Sequence, residues 1–230
     1  MKTVRTQAIV LRRTNFGEAD RIVQFLTPDG RRSVMARGVR REKSKLAGGI
    51  ELFAVSDVVI GEGKGDLGVL TSAKLVQFYR HILEDYDRLQ FGYQVVKLVG
   101  RASDAIDEPE WFDLLRQTIA GLDVLTIPLP LVQVWFYSRY AALLGHELNL
   151  TLDVEGRALQ AEALYRYDTA DQGLREVTAG AGVITGDHIK LLRLVATRPL
   201  AVLVQVGGLA GLLPDALRLV ETHAAIDIVM

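Results

Sequence analysis

The chain is poor in the residues that carry metal and redox chemistry. Its 230 residues include no cysteine and only four histidines. The absence of cysteine excludes disulfide bonds, thiolate nucleophiles, iron–sulfur clusters and cysteine-ligated zinc. His146 and His188, with the acidic residues near them in sequence, match no metal-ligand spacing and are interpreted as polar surface residues. We therefore expect neither a bound metal nor a cofactor.

Long apolar runs are also missing. The two longest uncharged stretches, residues 124–138 and 199–214, contain proline or glycine and fall short of the roughly 20 residues that a transmembrane helix needs. Residues 1–16 mix arginines with apolar residues and contain no small-residue cleavage site, which is unlike a signal peptide. We expect a cytoplasmic protein that does not associate with a membrane.

The overall composition is that of a globular protein. Hydrophobic residues make up 49% and charged residues 24% of the chain, close to the averages for soluble domains. This balance excludes disordered, collagen-like and coiled-coil proteins. The length allows one or two domains.

Positive charge is concentrated in the first third of the chain. Residues 1–80 hold 15 lysines and arginines against 8 acidic residues, a net charge of +7, whereas residues 81–230 hold 12 against 20, a net charge of −8. The density of cations is highest in residues 30–49. Such crowding costs self-repulsion unless a polyanion lies nearby, although a solvated surface loop remains the alternative.

Residues 1–79 have the pattern of a small β-barrel. Five short apolar runs are separated by turn residues, at the spacing of consecutive hairpins. Pro28, Asp29 and Gly30 form a turn signal that predicts pairing of the second and third strands. The fourth strand is predicted to begin near Ile50.

The hydrophobic period becomes helical at His81. The residues Ile82, Tyr86, Leu89, Tyr93, Val96 and Val99 predict one buried helix face. Further helices are predicted after Pro109, from Pro130 to Gly145, from Gly186, and around Pro214. The sequence thus predicts an α+β protein with a basic barrel at 1–80 and a helical domain at 81–230, which contains an irregular, cysteine-free insert with a hairpin at about 150–180.

No constellation of catalytic residues is recognisable. Residues 63–68 match the motif GxGxxG. A strand pattern follows them instead of a helix pattern, which favours a hairpin turn over a phosphate-binding loop. The serines lie in no nucleophile-elbow motif. The sequence therefore predicts that the protein is not an enzyme.

Several motifs of the N-terminal part together resemble a known family. In chain order these are Gly-Glu-Ala-Asp-Arg at 17–21, Ala-Arg-Gly at 36–38, Lys-Leu-Ala-Gly-Gly at 45–49, and Glu-Leu-Phe at 51–53. They resemble the RecO family of bacterial DNA repair proteins, closely over residues 1–80 and loosely beyond. The resemblance implies an N-terminal OB-fold, a helical body and a small insert.

The resemblance also implies a function. It implies binding of single- and double-stranded DNA, annealing of complementary strands, and action with RecR and single-stranded DNA-binding protein to load RecA. With the charge split, it suggests that the cations of residues 31–45 share one DNA-facing edge of the barrel. The candidate DNA-binding residues are Arg12, Arg13, Arg21, Arg31, Arg32, Arg37, Arg40, Arg41, Lys43 and Lys45.

The chain departs from the family pattern at three places, one of which is the segment at residues 223–230, which is not basic as it is in many relatives. Many relatives carry four zinc-binding cysteines after the Leu-Leu-Gly helix end, where this chain has residues 152–156 without cysteine, so the insert is expected to be metal-free. The segment around Gln133 and Trp135 lacks the basic pair that some relatives use for the acidic tail of single-stranded DNA-binding protein. The implied contact with DNA has more support in these residues than the contact with that tail.

A different class of function also fits the charge pattern. In this alternative the protein is a helical scaffold whose basic barrel binds an acidic protein segment and whose acidic part docks other proteins. The salt dependence of binding to single-stranded DNA separates the two hypotheses.

Overall fold

The structure, a computed structural model, describes residues 3–65, 67–178 and 183–225. Contacts divide the chain into two compact units, Met1–Val124 and Leu125–Met230. Five strands form the first part of the first unit: β1 (Thr3–Phe16), β2 (Asp20–Thr27), β3 (Gly30–Ala36), β4 (Ala54–Lys64) and β5 (Leu67–Phe78).

The five strands close into a barrel. Their order is β1-β2-β3-β5-β4, and β4 pairs with β1 to complete the ring. All pairs are antiparallel except β3 with β5. Alternate residues of every strand fill the interior, among them Val10, Phe25, Val34, Ile60 and Leu70. This arrangement confirms the predicted OB-fold barrel, the turn between β2 and β3, and the hairpin between β4 and β5.

Helices follow the barrel in both units. The first unit ends with α1 (Tyr86–Ala105) and α2 (Glu110–Asp123). The second contains α3 (Leu129–Leu143), the hairpin of β6 (Leu164–Asp168) and β7 (Gly173–Val177), α4 (Gly186–Thr197), the short α5 (Leu200–Leu203), and α6 (Leu209–Ala225). The sequence pattern did not predict α5. In the described parts of the chain, no helix is long and apolar enough to cross a bilayer.

The division into units differs from the predicted domain boundary. The sequence places the boundary after Arg80, where the helical period begins, whereas α1 and α2 belong with the barrel in the first compact unit. The boundary of an independently folding domain at residue 80 stays a prediction. Within the first unit, α1 packs against β1 and β3, and α2 packs against β2.

The buried face of α1 is rotated from the predicted one. Tyr86 and Tyr93 are exposed, contrary to the expected stripe. The helix buries Val96 and Val99 of the predicted stripe together with Phe91 and Val95, which were not part of it. Gly92 explains which face of α1 is buried, because a Cβ at this position would lie 2.8 Å from the ring of Phe53. The glycine lets α1 approach the barrel closely on this face.

The fourth strand begins later than predicted. Phe53 has a φ of 55°, a left-handed conformation that cannot continue an extended strand, so β4 begins at Ala54. The ring of Phe53 is fully buried, and its centroid lies 5.3 Å from that of Tyr93. Residues 47–49 form a 3-10 helix at this end of the barrel, where Gly49 lies against Ala73 of β5.

Ion pairs stabilise the cysteine-free insert. The side chain of Asp153 is 2% exposed and accepts hydrogen bonds from the backbone N–H groups of Glu155 (2.9 Å) and Arg157 (2.8 Å) and from Arg157 Nε (2.8 Å). On the hairpin, Arg175 Nε donates to Asp168 Oδ2 at 2.8 Å. Residues 179–180 of the predicted insert lie outside the described residues.

These contacts make the stability of the insert sensitive to acid. Burial alone would raise the pKa of Asp153, but the hydrogen bonds from Arg157 and Glu155 outweigh it and hold the pKa below its usual value. The hydrogen bond from Arg175 likewise lowers the pKa of Asp168. Because the folded-state pKa values are depressed, their stabilisation is present above the unfolded-state pKa of about 4 and is lost as the pH falls through the folded-state values.

We therefore expect the free energy of unfolding to fall when the pH drops below about 4. Asp153→Asn should lower it at pH 7 and make its dependence on acid shallower. The exposed Glu162 lies in the same insert, so Glu162→Gln is the matched control and should change neither quantity. Urea titrations of the three proteins between pH 3 and 7 measure the effect, and parallel curves for Asp153→Asn and the unmodified chain would contradict it.

Candidate nucleic-acid interface

The outer face of the barrel at β1, β2 and β3 is covered by the protein itself. OB-folds commonly bind oligonucleotides on the face of strands 2 and 3 and on the adjacent loops. Here α1 and α2 pack on this side, and the outward-facing Ile9 and Leu26 are at most 1% exposed. A nucleic acid therefore has access to the loops of the barrel but not to the centre of this face.

One of those loops carries most of the clustered cations. The basic loop, defined here as residues 37–45, joins β3 to the 3-10 helix. Val39 anchors it from inside, because this side chain is 3% exposed and belongs to the barrel core. The loop therefore packs on the barrel and is not a freely solvated surface loop.

The basic loop is also tied to the neighbouring loop between β1 and β2. The carboxylate of Asp20 accepts a hydrogen bond of 2.6 Å from the backbone N–H of Gly38, which has a φ of 63°. The backbone N–H of Arg40 donates to the carbonyl of Ala19 at 2.9 Å, and Arg40 Nη1 donates to the carbonyl of Gly17 at 3.2 Å. These three contacts hold the two loops together as one surface.

The cations of this surface project into solvent. Among the described residues, no ion pair or hydrogen bond uses the side chains of four exposed residues of the basic loop: Arg37, Arg41, Lys43 and Lys45. Glu42 is the one acidic residue within the loop. Because the backbone is held in place, these four side chains can meet phosphates without first ordering the loop.

The other candidate arginines fall into two groups, those whose side chains bind another residue of the chain and those that are exposed. Besides Arg40, the first group contains Arg13, Arg21 and Arg31. Arg13 Nη1 donates to Glu51 Oε2 at 2.9 Å, and Arg21 Nε donates to Asn15 Oδ1 at 3.0 Å. Arg31 forms an ion pair with Asp104 of α1. Arg12 and Arg32 are exposed. The ten candidates therefore do not form one continuous surface.

Arg31 and Arg32 lie at the opposite end of β3 from the basic loop. The strand spans Gly30–Ala36, which separates Arg31 from Arg37 by about 20 Å at 3.3 Å per residue. Both arginines line an open groove of about 890 Å³, which also contains the acidic Asp29, Glu62 and Asp104. The expectation of one shared edge for residues 31–45 is thus not met, because the strand carries the two arginines away from the loop.

The aromatic residues divide between core and surface. Phe25 and Phe53 are buried and fill the core, which excludes them from base stacking. Phe16 is 52% exposed and is the last residue of β1, directly before the loop that Arg40 contacts. Its ring is therefore available beside the basic loop for stacking on a base.

The described residues contain no group of three or more His, Asp or Glu side chains arranged to hold a metal ion. Two residues that shape the interface, Asp20 and Val39, were not among the sequence-based candidates. The signal that could have identified Asp20 was its place in the Gly-Glu-Ala-Asp-Arg motif, whose role in binding Gly38 becomes apparent only in the folded barrel.

Comparison with known proteins agrees with this architecture. A family model described as "Recombination protein O N terminal" matches residues 1–79, the barrel. A DNA repair protein RecO of Roseiflexus is 35% identical over 123 residues, which are 53% of this chain and 43% of the relative. One of Heliobacterium modesticaldum is 35% identical over 157 residues, 66% of this chain and 56% of the relative.

The similarity to a third relative extends well beyond the barrel. The chain aligns with about half the length of the Roseiflexus and Heliobacterium relatives. A DNA repair protein RecO of Synechococcus elongatus is 34% identical over 189 residues, which are 77% of this chain and 70% of the relative. With the closed barrel and its motifs, this coverage shows that the chain belongs to the RecO family of DNA repair proteins.

Proposed function

We propose that the chain binds single- and double-stranded DNA through the basic loop and anneals complementary strands without enzymatic chemistry. The observation that carries the proposal is the basic loop, which hydrogen bonds hold to the β1–β2 loop and which presents exposed cations beside the exposed ring of Phe16. Cations that contact phosphates carry no sequence information, so binding should be independent of base sequence. Screening of two phosphate backbones lets complementary bases meet.

Annealing of this kind needs no bond chemistry and therefore no nucleotide hydrolysis. We expect the purified chain to accelerate pairing of two complementary fluorescent oligonucleotides in the absence of ATP, with the same rate after ATP is added. The measurement is fluorescence energy transfer between the strands. A requirement for ATP would contradict the proposal and would return attention to the glycines of the β4–β5 hairpin.

The finer role, a recombination mediator acting with RecR and single-stranded DNA-binding protein to load RecA, is supported by family membership. It is tested by the DNA-dependent ATPase activity of RecA on DNA coated with single-stranded DNA-binding protein. The chain and RecR together should shorten the lag of this reaction. An unchanged lag would refute the mediator role and leave the annealing proposal standing.

One residue supports contact with the acidic tail of single-stranded DNA-binding protein. The segment around Trp135 lacks the basic pair of some relatives, but the guanidinium of Arg139 lies 4.5 Å from the centre of the Trp135 ring. Arg139 also lines a small cavity with Leu148, Leu150 and Leu192. An acidic, partly apolar peptide would meet Arg139 and the leucines here, and their attraction would have to exceed the repulsion from Glu147, which lines the same cavity.

A further inference from the structure

An apolar surface of the first unit lies outside the DNA-binding proposal. The apolar patch, as defined here, consists of six large side chains that are 37–73% exposed within nineteen residues of sequence. They belong to the end of β5, the following 3-10 helix and α1: Leu75, Val76, Phe78, Leu83, Tyr86 and Tyr93. Exposed apolar clusters of this kind mark interaction sites on soluble proteins.

The end of β5 is also an unpaired strand edge. On its β3 side, β5 is paired only at Leu67–Val69, and Gly49 of the 3-10 helix lies against Ala73. From Lys74 to Phe78, β4 is the one strand among the described residues that pairs with β5, and Val76 is the extra residue of a β-bulge in this pairing. Such an edge offers main-chain donors and acceptors to an added strand.

Phe53 connects the strand part of the patch with the helix part. Phe78 is paired with Ala54, the neighbour of Phe53, whose ring contacts Tyr93. Tyr86 and Tyr93 are seven residues apart, which places them on one side of α1 two turns from each other. The strand edge and the exposed side of α1 therefore both lie next to Phe53.

The acidic residues at the start of α1 favour a basic protein segment over a nucleic acid at that end of the patch. Lys74 and Arg80 are exposed on the strand side, whereas Glu84 and Asp87 are exposed on either side of Tyr86 at the start of α1. Asp85 lies between them but is used to cap α1 through the backbone N–H of Arg88. The negative charge around Tyr86, the most exposed of the six, repels phosphate and attracts a cation.

We infer that the edge of β5 and the apolar patch bind an extended segment of a partner protein. Its backbone adds a strand to β5, its apolar side chains cover Val76, Phe78 and Tyr86, and its basic side chains face Glu84 and Asp87. A second copy of this chain is the weaker candidate, because it would bring another pair of carboxylates to the same surface. The inference does not depend on DNA binding.

The test uses the full chain and a fluorescent peptide of about seven residues, an average strand length, that alternates valine with lysine. A second peptide carries glutamate in place of lysine. The lysine peptide should bind more tightly in fluorescence anisotropy. Val76→Asn and Tyr86→Ala should each weaken it about fivefold or more. Val4 is a valine of β1 that is 43% exposed, so Val4→Asn is the matched control and should leave binding unchanged.

Charge reversal provides the second arm of the test. The double variant Glu84→Lys, Asp87→Lys should reverse the preference between the two peptides, while circular dichroism should show that the helical content is kept. Equal binding to Val76→Asn and to the unmodified chain would overturn the inference, as would an unchanged charge preference. Self-association that Val76→Asn abolishes would also overturn it, because the edge would then be occupied by a second copy.

Discussion

Removal of four exposed cations of the basic loop should flatten the salt dependence of DNA binding by about three units, measured as the slope of log affinity against log salt concentration. Each phosphate contact to single-stranded DNA contributes about −0.7 to the slope of log affinity against log salt concentration. At about 0.1 M salt, the affinity should fall by two to three orders of magnitude. The variant replaces with alanine the exposed residues Arg37, Arg41, Lys43 and Lys45. Arg40 is kept because it contacts the carbonyl of Gly17.

A control variant that loses four positive charges elsewhere separates the effect of contacts at the basic loop from the effect of net charge. Its four alanines replace exposed cations outside the loop: Lys97, Arg101, Lys190 and Arg218. Exposed substitutions seldom change stability by more than about 0.5 kcal/mol, so both variants should fold. Equal slopes for both variants would show that the basic loop makes no particular contact. Tighter binding to polyglutamate than to DNA would favour the scaffold alternative.

Gly49→Ala should destabilise the first unit by about 2–3 kcal/mol. A Cβ at this position would lie 2.5 Å from the carbonyl carbon, the carbonyl oxygen and the Cβ of Ala73. Two of these atoms belong to the backbone of β5, which is held by its pairing with β4 and cannot yield as the tip of a side chain could. The 3-10 helix would have to move away from the barrel.

The preceding glycine is a control within the same motif. Nothing lies within 4 Å of a Cβ at Gly48, so Gly48→Ala should leave the free energy of unfolding within about 0.5 kcal/mol of the original value. Urea denaturation of the two single variants measures the difference. Equal stability of the two variants would contradict the explanation that Gly49 is needed for the close approach of the 3-10 helix to β5.

The barrel could be predicted because the residues that specify each strand and each turn are close together in sequence. Short apolar runs separated by turn residues mark the strands, and the turn of Pro28 and Asp29 joins two of them directly. The start of β4 could not be predicted in the same way. Residues 50–53 have a strand-like composition, but Phe53 adopts a left-handed conformation because its ring packs on α1, a contact with a distant part of the chain.

The same limit applies to the interface. The density of cations identified the basic loop, but it could not show which arginines the protein uses internally. Arg31 is paired with Asp104 and Arg13 with Glu51, and both partners are far away in sequence. The exposure of Tyr86 and Tyr93 could not be predicted either, because it depends on the close approach of α1 to Phe53 that Gly92 allows.

The central claim, that DNA lies on the basic loop, is tested most directly by amide hydrogen exchange. The full chain is compared alone and with a single-stranded oligonucleotide of about 16 nucleotides, the upper end of OB-fold site sizes. The proposal predicts slower exchange at residues 17–20 and 37–46, with no change at residues 74–87 of the apolar patch. Protection confined to the groove of Arg31 and Arg32, or to the second unit, would contradict it.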